Sequence, residues 1–560
     1  MGYEDAGSVP FVRKPEDVQA SFCATLVDEW VRGGLRAVMI APGSRSTPMA
    51  VALVAHPSVK VSVFLDERSA AFAALGWGMA TGEPAVALCT SGTAATHFHA
   101  AVAEADLSAV PLLIVTTDRP PELRDVGAAQ TIDQSHLFGA KVRWFHEPGV
   151  ADENASSSWR SLAARSLALS VGAWPGPVHL NLAFREPLLG AATVERDDVD
   201  RRIRLGRLVP DDSTVGDIVQ RWSGRRGVLV AGRGGASPGS LYRLADALQW
   251  PLLAEPRSGA QSRSIAHYDS IVRGADSTLV PEVVVRFGEA PSSKVLGRFL
   301  LESGAEQWHV ASVGRPYDPD HRVSGHVRCD ADALIEAVSD RLRPAPVSWV
   351  REWRRRDDAA RAAFTILDDP KGELTGPRVA RHVVSGLPAG SNLVVSSSMP
   401  IRDVEWFAGD CSHLRVFASR GANGIDGVIA TAIGVAAATG RPTGLLIGDV
   451  AFVHDASSLA GLSRRGLDLR IVVTDNDGGG IFHHLPQKTV LDPDLFETLF
   501  GTPHGSDTAV IGQAFGVDST TVENLSELHT RLRNIGPSIT VVRTDRERDV
   551  AEHKRLHLSI

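Results

Sequence analysis

Residues 443–480 read TGLLIGDVAFVHDASSLAGLSRRGLDLRIVVTDNDGGG, and this stretch decides the fold. Leu445, Leu446 and Ile447 end one continuous apolar run at Gly448-Asp449-Val450. Residues 471–474 end a second at Asp475-Asn476-Asp477-Gly478. Short apolar runs without polar alternation are strands buried on both faces, as in a parallel sheet covered by helices. In an open sheet of this kind, loops at the carboxyl ends of the strands present side chains and backbone to one point. Both acidic turns therefore open onto the same edge.

In sequence, 27 residues separate Asp449 from Asn476, room for a strand end, a helix and a return strand. Asp449 offers a hard carboxylate oxygen, Asn476 an amide oxygen and Gly478 a backbone carbonyl. Two phosphate oxygens and a water complete an octahedron, which suits Mg2+ (or Mn2+) holding a diphosphate. Gly478, Gly479 and Gly480 let the backbone approach closely. The same residues also suit two ordinary Asp/Asn-Gly turns at strand ends.

The strand-turn-helix rhythm extends in both directions. A helix opens at Pro15-Glu16, carries Val18, Phe22, Leu26 and Trp30 at helical spacing, and stops at Gly33-Gly34. Strands are expected at residues 37–40, 59–65, 85–89 and 110–116, then at 227–231, 283–287 and 308–313, and finally at 392–396, 414–418, 443–447, 470–474 and 538–543. Charged residues 195–207 followed by Pro210-Asp211-Asp212 read as a linker, and 341–346 as a second boundary. The expectation is an α/β chain of three doubly wound parallel-sheet domains, 1–190, 191–345 and 346–560.

Composition narrows the function. With 43% hydrophobic and 22% charged residues, the 560-residue chain is a globular protein able to bury large cores. A formal charge of -8 leaves no basic surface for nucleic acid. No run reaches the roughly 18 apolar residues of a spanning helix. The N-terminus is acidic and lacks an apolar signal core, so a cytoplasmic location is expected. Cys23, Cys89, Cys329 and Cys411 have neither zinc-site nor disulfide-framework spacing.

Leu65-Asp66-Glu67-Arg68 stands where a strand passes into a helix, so Asp66 and Glu67 suit capping and the positive helix end. A further set of strings changes that reading: Pro42-Gly43-Ser44-Arg45, Thr90-Ser91-Gly92-Thr93-Ala94, Asp118-Arg119-Pro120-Pro121, Ser419-Arg420-Gly421-Ala422-Asn423-Gly424-Ile425-Asp426-Gly427, Phe452-Val453-His454-Asp455 and Gly478-Gly479-Gly480-Ile481-Phe482. Together with the paired acidic turns they resemble thiamine-diphosphate enzymes over nearly the whole chain. Within these, the chain is similar to the 2-succinyl-5-enolpyruvyl-6-hydroxy-3-cyclohexene-1-carboxylate synthase family of menaquinone biosynthesis.

The resemblance implies that the first domain binds the cofactor's pyrimidine ring and the third its diphosphate and metal. It implies that Glu67 is the catalytic carboxyl group, set against N1′ of the ring to promote the imino tautomer. It implies decarboxylation of 2-oxoglutarate and conjugate addition of the succinyl unit to isochorismate. Arg45, Arg402 and Arg420 then face substrate carboxylates, a task for which a guanidinium fork suits better than an ammonium group. Ser44, Gln130 and Ser398 hydrogen-bond substrate, Lys294 contributes from the central domain, and Ile481, Phe482 and Leu485 form the apolar wall beside the thiamine ring. Residues 90–93 open a helix and suit either capping or donation to an anion. A homodimer or homotetramer with active sites at the dimer interface is implied as well. Ala129 and Val295 depart from the family pattern, which frequently has asparagine and a second basic residue there. Two other readings stand beside this one: an acetolactate-synthase-like carboligase acting on pyruvate, and a non-catalytic cofactor-binding protein of the same fold.

Overall fold

A computed structural model describes residues 13–201, 203–314 and 317–559. The chain divides into two compact units, one ending at Arg204 and one beginning at Leu205, with Met79–Thr81 and Leu107–Ala109 counted in the second.

The first unit holds β1 (Ala37–Ile40), β2 (Lys60–Val63), β3 (Val86–Cys89), β4 (Leu112–Asp118), β5 (Trp144–His146) and β6 (Pro177–Ala183) in one parallel sheet, order β2-β1-β3-β4-β6-β5. The interior strands β1, β3, β4 and β6 are buried at every residue. Helix Pro15–Arg32 lays Phe22, Leu26 and Trp30 on this core and stops at Gly33. No helix or strand is formed between Ala183 and Asp212 among the described residues, where the linker was expected.

The second unit holds two parallel sheets. The middle one contains β7 (Gly227–Ala231), β8 (Leu252–Ala254), β9 (Val283–Phe287), β10 (Glu306–Val310) and β11 (Val323–Val327), order β11-β10-β9-β7-β8. The charged helix Val347–Ala363 buries Trp349 and Trp353 in that sheet's core, and the Trp349 indole donates to the Gly227 carbonyl at 2.8 Å. The last sheet contains β12 (Asn392–Val395), β13 (Arg415–Phe417), β14 (Thr443–Gly448), β15 (Leu469–Asp475), β16 (Asp518–Val522) and β17 (Ser538–Arg543), order β13-β12-β14-β15-β17-β16. Counted from its own first strand, this order repeats that of the first sheet. Each has its reversal of strand order between the first and third strands, the place where such sheets bind ligands.

Three doubly wound α/β sheets are thus present. Five strands lie outside the expected set: β5, β6, β8, β11 and β16. Among the described residues no helix is long and apolar enough to cross a membrane, and all four cysteines are buried and free.

Candidate cofactor site

In the last sheet Gly448 pairs with Thr474, so Asp449 and Asn476 leave the sheet side by side. Next to them, across the reversal of strand order, β12 delivers Ser396-Ser397-Ser398. Asp449 is only 2% exposed. Its Oδ2 accepts the N–H groups of Asn476 (3.0 Å) and Gly478 (2.9 Å), and its Oδ1 that of Val450 (2.7 Å). Burial pushes the carboxyl above its usual range despite these N–H groups, and Asp475 adds to the rise.

The amide oxygen of Asn476 is buried and, among the described residues, has no hydrogen-bond partner. An unsatisfied acceptor beside a buried carboxylate is costly unless a cation uses both. The backbone around these donors is drawn in closely. Gly478 has φ 138°, and a Cβ there would stand 2.0 Å from the Gly501 carbonyl oxygen; a Cβ on Gly480 would meet Nδ2 of Asn476 at 2.5 Å. Hard oxygen donors gathered this closely fit a divalent cation. Ile481 and Phe482 follow on the turn Gly480–His484, with Leu485 after it, all half-buried; Phe482 packs on Phe500 at 5.3 Å.

Ser398 precedes helix Met399–Phe407, whose Arg402 donates back to the Ser398 carbonyl at 2.5 Å. Arg402 and Arg420 both reach the Ser397 carbonyl, at 3.4 and 3.2 Å. Burial, and then the neighbouring Arg420, lower the Arg402 pKa. Among the described residues neither guanidinium has a carboxylate within ion-pairing distance. Two cations held over one strand end favour an anion with several carboxylate oxygens.

Lys294 is exposed at the start of helix Lys294–Glu302. Just before it, the N–H groups of Ser292 and Ser293 donate to the Glu405 carboxylate (2.8 and 3.0 Å), as does the Tyr268 hydroxyl (2.7 Å). Glu405 lies one turn beyond Arg402, so these bonds tie the Lys294 helix to the Arg402 helix. Burial pushes Glu405 up to about 7.

In the first unit, Asp66 caps helix Glu67–Thr81 by accepting the Arg68 N–H at 2.9 Å, and Glu67 is its half-buried first residue. Burial, with the Glu67 charge adding, holds the Cys89 thiol well above its ordinary range. Ser44 is exposed. Arg45 is 4% exposed; its Nη1 donates to the Phe184 carbonyl (2.9 Å) and its Nη2 to Glu186 (3.0 Å), while Nε has no partner among the described residues. Gln130 has φ 54°, and its Nε2 donates to the Ser91 carbonyl at 3.1 Å. Of the N–H groups at 90–93, that of Gly92 already serves Gln134 at 2.9 Å.

Three profiles of thiamine pyrophosphate enzymes match the chain in order: the N-terminal TPP binding domain at residues 22–137, the middle domain at 209–395 and the C-terminal TPP binding domain at 409–542. Curated proteins named 2-succinyl-5-enolpyruvyl-6-hydroxy-3-cyclohexene-1-carboxylate synthase align over almost the full chain. That of Chloroflexus aurantiacus is 37% identical and that of Myxococcus xanthus 39%, each over 95% of both chains. That of Geobacillus thermodenitrificans is 39% identical over 96% of this chain and 95% of its own. The chain belongs to this synthase family.

In this thiamine-diphosphate enzyme of the synthase family, the candidate site is bordered by residues that the sequence motifs do not mark. Asp477, at φ 56°, accepts the N–H groups of His504 (3.0 Å) and Gly505 (2.8 Å). Arg546 donates to the Asn476 carbonyl (2.8 Å), to Glu497 (2.8 Å) and to the Asp477 carbonyl. Asp475 and Asp477 flank Asn476 directly, and three polar residues in a row after a buried strand are the local signal that marks them. His504 and Arg546 carry no spacing signal, because tertiary folding alone brings them there. The tightness of the loop yields a prediction. Gly478→Ala is expected to weaken metal and cofactor binding at least tenfold, since the left-handed backbone alone costs a non-glycine residue about 1–3 kcal/mol and its Cβ meets the Gly501 carbonyl. Calorimetric titration checks this; wild-type affinity would show that the loop accommodates a side chain.

Proposed function

We propose that the chain catalyses thiamine-diphosphate-dependent decarboxylation of 2-oxoglutarate and addition of the succinyl unit to isochorismate, a step of menaquinone biosynthesis. The C1 carboxylate leaves as CO2, a carbon–carbon bond forms to the conjugated ring, and one proton is taken up. The observation that carries this reading is the Arg402–Arg420 pair converging on Ser397 beside Asp449. Both substrates are polycarboxylates, whereas pyruvate, with one carboxylate, gives no reason for paired guanidinium groups.

When bound, thiamine diphosphate supplies the nucleophilic carbon and the electron sink for decarboxylation. Asp449, the Asn476 amide oxygen and the Gly478 carbonyl hold Mg2+ or Mn2+, which anchors the diphosphate. Glu67 holds a proton at the aminopyrimidine N1′ and so sets the ring's tautomer. Arg45, Arg402, Arg420 and Lys294 bind substrate carboxylates, Ser44, Gln130 and Ser398 orient them by hydrogen bonds, and Ile481, Phe482 and Leu485 exclude water from the thiamine face. We further propose domains bounded near residues 190 and 345, a homo-oligomer with active sites at the subunit interface, and a cytoplasmic location.

Purified protein with thiamine diphosphate, Mg2+, 2-oxoglutarate and isochorismate is expected to consume isochorismate and yield the adduct, followed by absorbance and mass. Turnover of pyruvate with no consumption of isochorismate would replace this reading with the acetolactate-type one.

A further inference from the structure

His504 sits between the turn Glu497–Gly501 and helix Thr508–Ala514. Its loop is fastened to the metal-binding loop at three points. Asp477 accepts the His504 and Gly505 N–H groups, the Gly479 N–H donates to the Gly501 carbonyl at 2.8 Å, and the Thr508 hydroxyl donates to Asp475 at 2.8 Å.

One hydrogen bond assigns the roles of the two ring nitrogens. The backbone N–H of Ser506 donates to Nδ1 of His504 at 3.0 Å. Nδ1 is therefore the acceptor nitrogen, and the ring proton resides on Nε2. That Nε2 is buried, has no hydrogen-bond partner among the described residues, and lies 3.4 Å from Oδ2 of Asp449. Side-chain ligand atoms of Asp449, Asp475 and His504 fall within 4.8 Å of one another, which on distance alone is a cluster able to hold a metal. The proton on Nε2 argues against His504 as a ligand, because a nitrogen that carries its proton has no lone pair to give a cation. What it offers is a buried donor beside the carboxylate assigned to the metal. The 3.4 Å contact with Oδ2, which already accepts two backbone N–H groups, is not a hydrogen bond and leaves this donor available.

We infer that His504 donates its Nε2 proton in a hydrogen bond to a phosphate oxygen of the diphosphate when the cofactor is bound. This rests on the assignment of Asp449, Asn476 and Gly478 to the metal. His504 is then a cofactor-binding side chain delivered by a separate loop, and the Asp477 and Ser506 bonds position it.

The test uses the full-length chain and three probes: thiamine diphosphate with Mg2+, magnesium pyrophosphate, and Mn2+ alone, the last followed by electron paramagnetic resonance. His504→Ala is expected to weaken thiamine diphosphate and pyrophosphate roughly 10- to 100-fold, the loss of one hydrogen bond to a charged group, with Mn2+ affinity unchanged. His504→Gln, whose amide N–H reaches near the Nε2 position, is expected to recover most of the loss. Thermal melts of both variants show whether the fold is intact. Unchanged diphosphate affinity in a folded His504→Ala variant overturns the inference, and so does an equal loss for Mn2+ alone, which would make His504 a brace for the metal. Asp449→Ala run alongside separates the two assignments. Intact cofactor affinity there overturns the metal site itself; lost affinity there, with intact affinity in His504→Ala, overturns the role of His504 alone.

Discussion

Asp449→Ala is expected to abolish metal-dependent binding of thiamine diphosphate, with no saturation in a calorimetric titration that saturates the parent chain. The side chain has two tasks. In the proposed site its charge answers the cation, and its Oδ2 accepts the N–H groups of Asn476 and Gly478, which fixes the loop holding the other proposed donors. Alanine removes the charge and leaves those N–H groups unpaired in a buried place, at about 1–3 kcal/mol each. Asp449→Asn separates the tasks: its oxygen can still accept the Asn476 and Gly478 N–H groups, while the charge is gone and its amide nitrogen meets the Val450 N–H, so it is expected to lose at least 100-fold in metal affinity but less stability than Asp449→Ala. A cofactor titration unchanged in Asp449→Ala would refute the metal site.

What the sequence discloses follows from what is local. Interior strands such as β1, β3 and β7 are continuous apolar runs, and β1, β7, β9 and β17 occupy the residues expected of them. Of the five strands outside the expected set, β5, β8, β11 and β16 all lie at sheet edges. An edge strand is paired on one side only, so it is shorter or keeps polar residues and loses the apolar signature. The fifth, β6, is interior but contains His179 and Asn181. Both are buried and bonded to the Thr116 hydroxyl, at 2.7 and 2.8 Å, so polarity that reads as surface is satisfied inside.

The candidate site divides in the same way. Asp449, Asn476 and Gly478 are legible because a strand end, a turn and a close backbone approach are all written within a few residues of them. The Arg402–Arg420 pair is half legible, since each arginine follows a strand end but only the sheet order brings them to one carbonyl. His504 and Arg546 are illegible, because their partners lie in another segment and no periodicity records it. Arg45 shows the converse. Its motif marks it plainly, yet two of its nitrogens are engaged by Phe184 and Glu186, which sequence does not foretell.

Glu67→Gln is the sharper test of catalysis, with kcat expected to fall on the order of 100- to 10,000-fold, the range for loss of a positioned proton-transfer group. Two roles suit a glutamate at this place, and the structure separates them. The hydrogen bond that caps the helix comes from Asp66, which accepts the Arg68 N–H, so Glu67 is not needed for the cap. Its remaining structural contribution is the attraction of its charge to the helix N-terminus, worth about 0.3–1 kcal/mol at an exposed site. Glutamine keeps the length and hydrogen-bonding capacity of the side chain and removes the acid. A merely structural glutamate would therefore lose a few degrees of melting temperature and no rate. A catalytic one would keep its melting temperature and its affinity for thiamine diphosphate while losing turnover, together with the enzyme's acceleration of proton exchange at the thiazolium carbon, read by acid quench and proton NMR. Full activity in Glu67→Gln would remove it from the reaction and leave only the helix.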